Sequence, residues 1–472
     1  MNRRDVLKSG AVALTVAATK PLFAWQGANN RVRMGVIGMG GRAARVFDSL
    51  TRYDDVQFTM GCEVAQNKQT GFQSANRPLA QSLNVVGDYR RVLDRNDIDA
   101  VLIGTPDFSH AKITADALAA GKHVYVEKPI SNNIARINMM LDAYNKYPNL
   151  VVQVGTQQRS WDHFIEAKKQ MALLGPVTHV LIQHGGGYSQ NKQDVVEVPP
   201  GLDWNAWQVD APKKPFKAGY TSFRGWWEYG SGLVGDWGAH HIDVANWFMD
   251  ADAKQPLKTT AVGFYSNPTT DPECVYSQFS IAWQFDNYIM SFANDVFPRP
   301  NFADPKAPDI EGWGVYFYGN NGTLQVNRMG WALRPNVGQT RNRVPADPAP
   351  GAAAGGGRAG AAPAPGGGRG AGAPGGAPGG GRAGGAPGGG RGGGQAVEAN
   401  IYINPRGGVE EDYPLHVHTR DFLDKLKAKN RKTNAPMEVG YNSALPALLA
   451  LEAMKENKVL GWDPVARKSK AL

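Results

Sequence analysis

The stretch RMGVIGMGGRAARVF, Arg33 to Phe47, decides the reading of the fold. Its apolar, β-rich start MGVIG leads into a segment patterned as a helix, and between them Gly38, Gly40 and Ala43 fall at the spacing G-x-G-x-x-A. In that context the spacing marks a dinucleotide-binding turn. Gly38 permits a tight turn, Gly40 lets the backbone approach a pyrophosphate, and Ala43 lets the helix pack on the strand. Gly41 and Arg42 complete the loop, whose amides and helix dipole favour phosphate. Glu63 stands twenty residues after Ala43, at the end of the next apolar run, VQFTMGC. An acid there accepts hydrogen bonds from ribose hydroxyls and repels a 2′-phosphate, so NAD is expected over NADP.

Outward from this stretch the pattern alternates. AVLIGTP, HVYVEKP and LVVQVGT are further apolar runs, separated by segments such as SHAKITADALAAGKH, where Ser109 is expected to cap a helix and Gly121 to end it. Apolar strands separated by helices predict a parallel sheet covered on both faces, an α/β Rossmann domain over residues 31–155. Residues 156–472 read differently. TTAVGFYSN, VYSQFSIAWQF, YIMSFAND and WGVYFYGNNGTLQV are strand runs joined by turns, with Asn320-Asn321-Gly322 as a tight one. They predict an α+β substrate and oligomerisation domain with a large, mostly antiparallel open sheet. RDFLDKLKAK and SALPALLALEAMKENKV read as two closing helices. Residues 344–397 interrupt this domain. Of the 44 residues from Gly351 to Gly394, 23 are Gly and none is aromatic or a large aliphatic, so the segment cannot offset its ordering entropy and is expected to be a disordered surface insert.

The chain of 472 residues carries a formal net charge of +9. Position matters more than the total. The first 25 residues hold +3 and the Gly-rich insert +4, which leaves +2 for the folded body. No basic patch interleaved with aromatics occurs there, so no nucleic-acid partner is expected. Residues 1–24 have the order of an export signal: NRRDVLK, then the apolar run AVALTVAAT, then KPLFA. The Arg3-Arg4 pair resembles a twin-arginine signal. The apolar run is short for a permanent span, so the mature chain is expected to be periplasmic with no transmembrane anchor. Cys62 and Cys274 are too few to fix a compartment.

Three further stretches carry a resemblance. VLIGTPDFSHAKI, then GKHVYVEKPIS, then GDWGAHHIDVANW resemble the Gfo/Idh/MocA family of sugar and cyclitol oxidoreductases over residues 31–340 and 398–465. GLDWNAWQV and FRGWWEYGSG are similar to an exported branch of it. On position alone Lys128 is a surface lysine beside a turn proline. The resemblance makes it the catalytic lysine of Glu127-Lys128-Pro129. Asp236 and His240, four apart, share one face of a helix, with Asp243 on the same stripe and His241 turned away by about 100°. The resemblance implies that His240 is the general base and acid, and Asp236 its partner or a ligand of a substrate hydroxyl. An imidazole suits the task, with an unperturbed pKa of about 6.5. The other reading of the pair is a helix-capping Asp and a hydrogen-bonded core His. Thr105, Pro106, His110, Glu127, Lys128 and Gln157 are expected at the cofactor, and Arg159, Trp226 and Asp243 at the substrate.

These expectations define a tightly bound NAD and a hydride transferred to or from a sugar, glycoside or cyclitol. Twin-arginine export carries folded proteins, so a cofactor buried in the fold would travel with the chain. The alternatives are an NAD-dependent glycosidase working through a transient 3-keto sugar, and a non-catalytic carbohydrate-binding protein. No metal is expected. HVH, His416 and His418, reads as two imidazoles on one strand face, but no Cys or Glu completes a site at a usual spacing. Trp204, Trp207, Trp226, Trp227 and Trp237 are candidates for stacking on sugar, with core packing as their other use. A homo-oligomer, dimer or tetramer, is expected.

Overall fold

The computed structural model describes residues 31–74, 76–294, 312–336, 400–403 and 412–472. The signal read at residues 1–24 and the insert at 344–397 lie outside the described residues.

The first sheet contains β1 (Val32–Ile37), β2 (Val56–Cys62), β3 (Asn84–Val86), β4 (Ala100–Ile103), β5 (His123–Val126) and β6 (Val152–Val154). Its order is β3-β2-β1-β4-β5-β6, and every pairing is parallel. The strands of AVLI and HVYV are buried at every residue, which is why they read as unbroken apolar runs rather than alternating ones. The order reverses between β1 and β4, and the crevice outside their carboxyl ends is where open α/β sheets bind ligands. Gly38 follows β1 there with φ +82°. A Cβ at Gly38 would lie 2.8 Å from the Thr105 amide nitrogen, so this turn requires glycine on both conformational and steric grounds.

Ser109 does not cap the next helix. It lies in a short 3-10 turn, Asp107–Ser109, and its hydroxyl donates to Thr105 Oγ1 and to the Pro106 carbonyl. Gly121 does follow the end of that helix, His110–Ala119, with φ +78°.

The second sheet has ten strands: β7 (Val177–His184), β8 (Lys258–Phe264), β9 (Gln278–Gln284), β10 (Ile289–Asn294), β11 (Gly314–Gly319), β12 (Gly322–Asn327), β13 (Gly330–Pro335), β14 (Asn400–Ile403), β15 (Leu460–Asp463) and β16 (Lys468–Ala471). Their order is β14-β13-β12-β11-β7-β10-β9-β8-β15-β16. Among the described residues only β7 with β10 is parallel; the other pairings run antiparallel. The Gly232–Phe248 helix packs on β7 and β11, and the Met437–Glu456 helix packs on it and on β8. Fifteen residues of the Gly232–Phe248 helix are buried, so its ends and both faces are enclosed by protein.

His416 and His418 lie on a helix, Asp412–Lys427, and not on a strand. Two residues apart on a helix, they point to different sides. His418 is buried between Ser160 Oγ and the Val154 carbonyl, while His416 Nδ1 meets Ser49 Oγ. Both histidines therefore fasten this helix to the parallel-sheet layer. Among the described residues no helix is long and apolar enough to cross a membrane.

Candidate active site

A cavity of about 1720 Å³ opens over the carboxyl ends of β1, β2, β4 and β5. That exceeds the roughly 300–1,000 Å³ of an ordinary small-ligand pocket, and it leaves room for a dinucleotide and a second molecule. Ideal Cβ atoms at Gly40 and Gly41 would meet nothing within 4 Å, so the loop faces open space where phosphate would approach. Behind it, a Cβ at Gly104 would come within 2.7 Å of the Ala43 Cβ, so helix and strand meet at Ala43 as its small size requires. Glu63 accepts from the Met39 amide at 2.7 Å and from the Val64 and Ala65 amides at 2.8 and 2.9 Å. The acid thus fixes the phosphate loop while lining the cavity. Arg42 Nε lies 2.9 Å from Glu127 Oε1, and a Cβ at Gly155 would strike that carboxylate at 2.6 Å. Thr105, Pro106 and Gln157 line the same cavity. These features fit a nicotinamide dinucleotide.

His110 bridges the ends of β4 and β5, with Nδ1 2.7 Å from the Pro129 carbonyl and Nε2 2.8 Å from the Thr105 carbonyl. Burial pushes its pKa down to about 4. It braces the cavity wall, including the cis Lys128-Pro129 peptide.

Lys128 and the Gly232–Phe248 helix meet across the cavity. Lys128 Nζ donates to Asp236 Oδ1 at 2.6 Å and to the Asp236 carbonyl at 3.2 Å. Arg224 Nε lies 3.1 Å from the same Oδ1, and the Tyr188 hydroxyl donates to Oδ2. Burial alone would raise the Asp236 pKa. The Lys128 and Arg224 charges, with the Lys128 and Tyr188 hydrogen bonds, outweigh it and hold this group far below the usual carboxylate range. Asp236 therefore stays ionised and fixes Lys128 Nζ through this 2.6 Å ion pair.

His240 lines the cavity one turn further on, with Nε2 3.3 Å from Arg328 Nη2. Burial, then the cations of Lys128, Arg328 and Arg42, hold its pKa well below the ordinary value. The ring is neutral, and the Arg328 contact assigns the proton to Nδ1 and the lone pair to Nε2. His241 is buried against Trp237, Trp313 and His184, away from the cavity lining.

Three expected substrate residues are elsewhere. Asp243 is fully buried and accepts from Arg159 Nε at 2.8 Å and Ser443 Oγ at 2.8 Å; it does not orient His240. Arg159 also binds Asp252, with Nη1 2.9 Å from Oδ2. Trp226 is buried, its Nε1 donating to the Gly219 carbonyl. None of the three lines the cavity. A helical stripe gives the side on which Asp243 emerges, but not the partner that claims it.

The aromatic stretches are divided between roles. Trp204, Trp207, Tyr220, Trp226 and Tyr229 form one cluster with Phe108. That cluster supports a strap, residues 199–224, which lines much of the cavity. The strap is fastened beside Glu63: the Gln66 amide donates to the Gly201 carbonyl at 2.8 Å, and the Asp203 amide to the Val64 carbonyl at 2.9 Å. Of the five tryptophans considered for sugar stacking, Trp207 and Trp237 line the cavity. Tyr188, Arg224, Arg328 and Asp107 line it too and are not marked by spacing, although Asp107 and Arg224 stand inside the quoted motifs GTPDFSH and FRGWW.

Comparison with known proteins agrees with this fold. Residues 32–156 match the model described as "Oxidoreductase family, NAD-binding Rossmann fold", and residues 177–290 match "Oxidoreductase family, C-terminal alpha/beta domain". The chain belongs to the Gfo/Idh/MocA oxidoreductase family. A glycosyl hydrolase family 109 protein from Solibacter usitatus is 31% identical over 113 residues, 22% of this chain and 26% of that one. Levoglucosan dehydrogenase from Pseudarthrobacter phenanthrenivorans is 30% identical over 171 residues, 35% and 37% of the two. The matched stretches thus span about a quarter to two fifths of these curated relatives. The crystal structure of myo-inositol 2-dehydrogenase from Lactobacillus plantarum superposes with a TM-score of 0.53 at 15% identity, covering 91% of this chain and 99% of that one; it shares the fold.

Proposed function

We propose that this protein is an NAD-dependent oxidoreductase that moves a hydride between a retained cofactor and a carbinol or ketone carbon of a sugar, glycoside or cyclitol. The observation that carries the reading is the Lys128–Asp236 pair beside a neutral His240 in one cavity with the glycine loop. Gly38 to Ala43, Glu63, Thr105, Pro106, Glu127 and Gln157 would hold the dinucleotide. When bound, NAD supplies the acceptor and donor of hydride. Lys128 places an N–H on the substrate oxygen and stabilises negative charge there. Asp236 keeps that ammonium aimed. Neutral His240 exchanges its 3.3 Å contact with Arg328 Nη2 for the substrate, takes the hydroxyl proton on Nε2 during oxidation, and as the imidazolium so formed returns it during reduction.

Glu63 supports NAD over NADP, since both its oxygens are fixed by amides at the ribose end. The strap supports tight retention because it is hydrogen-bonded over that same end. Arg3-Arg4 and the following apolar run support twin-arginine export, so that the cofactor travels within the folded chain to the periplasm. Exposed Val262, Phe264 and Ile289 on the second sheet support a homo-oligomer. Protein purified without added nucleotide should release about one NAD(H) per chain on denaturation, measured by mass. Empty protein that binds NAD weakly would defeat retention.

A second reading, a redox-neutral NAD-dependent glycosidase, is favoured by the similarity to glycosyl hydrolase family 109. Product analysis separates them: a keto sugar, or a released aglycone with no net redox change.

A further inference from the structure

The cavity wall holds a cation that the hydride chemistry leaves unused. Arg224 lies in the short 3-10 turn Phe223–Gly225 and lines the cavity beside Asp236. Its Nε lies 3.1 Å from Asp236 Oδ1 as an ion pair without a hydrogen bond, and its guanidinium carbon rests 4.8 Å from the centre of the Phe223 ring. Asp236 needs nothing more from it, since Oδ1 already takes Lys128 at 2.6 Å and Oδ2 takes Tyr188. Among the described residues no hydrogen-bond partner engages the two terminal nitrogens of Arg224. Its side chain is also the open end of the cluster, 38% exposed, against 11% for Lys128 and 9% for Asp236.

Charge counting points the same way. Arg42 is matched by Glu127 and Lys128 by Asp236. The remaining acid near Arg224 is Asp107, a buried side chain whose Oδ2 has no partner among the described residues. Burial pushes Asp107 up to about 7, against the pull of Arg224 and Lys128, so it supplies only part of a counter-charge near neutrality. Asp236 is therefore shared between two cations, and the Arg224 guanidinium faces the cavity with only a share of that carboxylate.

We propose that Arg224 is a specificity-determining residue that receives an oxyanion carried by the substrate, so that the site takes acidic sugars in preference to neutral ones. The inference rests on the reading of the cavity as a sugar site. A guanidinium fork pairs with a planar carboxylate through two parallel hydrogen bonds, and with phosphate in a similar way. With the anion on Arg224, the neighbouring Lys128 and His240 face the ring carbons next to it.

The test is calorimetric binding of glucuronate, glucose 6-phosphate and glucose to the protein as purified, with wild type, Arg224→Gln and Arg224→Lys compared at equal cofactor content. At least one anion should bind roughly ten- to a hundredfold more tightly than glucose, the usual worth of charged hydrogen bonds. Arg224→Gln should collapse that ratio toward one, and Arg224→Lys should keep part of it. Which anion wins separates a carboxylate from a phosphate ligand. No excess of either anion over glucose in wild type, including no binding by any of the three, overturns the proposal. So does a ratio unchanged in Arg224→Gln. Tight anion binding without turnover of any of the three would leave Arg224's role standing and remove support for the hydride-transfer reading.

Discussion

Lys128→Met should lower turnover by about 10²–10³-fold on any sugar the wild type accepts, the usual loss on removing one preorganised donor from a developing oxyanion. Bound NAD should be unchanged, because the phosphate loop is built on β1 and anchored by Glu63 rather than by Lys128. His240→Ala should fall within a similar range for loss of a positioned proton acceptor, about 10²–10⁴-fold. His241→Ala should matter far less to turnover, since that ring lies outside the cavity lining. Parallel assays of turnover and cofactor content check all three. An active Lys128→Met would make the ammonium a mere counter-ion of Asp236.

The second large effect is on stability. Arg159→Met should destabilise the fold by about 3–5 kcal/mol, the cost of stranding one member of a buried ion pair. Arg159 is 7% exposed and Asp243 fully buried, so little solvent screens the loss. Asp243 would retain Ser443, while Asp252 would rehydrate because it lies nearer the surface. Burial already holds Asp243 above its ordinary pKa even with Arg159 in place. Without Arg159 the folded form should bind a proton more readily than the unfolded chain. Stability of the variant should therefore improve relative to wild type as pH falls. Denaturant melts at two pH values measure this. An unchanged midpoint would mean the network adds nothing and would return Arg159 and Asp243 to consideration as ligands.

The parts of this molecule that were legible in sequence are those whose local pattern and long-range contacts agree. Gly38, Gly40 and Ala43 needed only their own spacing and the strand before them, and the buried strands of the first sheet announced themselves as unbroken apolar runs. The turn Asn320-Asn321 joined β11 to β12 as its residues demand. The short β3, and β13 to β16, carry no comparable signal, and their pairing is set by neighbours distant in sequence. The site divides in the same way. Lys128, Asp236 and His240 sit in motifs, and the helix spacing correctly separated His240 from His241. Asp243 was misplaced because a stripe does not reveal that Arg159 and Ser443 are waiting behind it. His416 and His418 alternate like strand residues, yet the surrounding residues form a helix whose apolar side packs on the first layer. Tyr188, Arg224 and Arg328 come from connections and a turn, where only the folded chain shows that their side chains line one cavity.

Direct hydride exchange between a sugar and a cofactor that stays with the chain leaves an isotopic trace. The most direct measurement uses protein purified without added nucleotide, its bound cofactor brought to the oxidised state, and an accepted sugar deuterated at its carbinol carbons. The nucleotide released on denaturation is then weighed. NADH carrying deuterium on the nicotinamide, in amounts comparable to the chain, is the expected product. Released cofactor without deuterium, or protein that never held a nicotinamide, would contradict it.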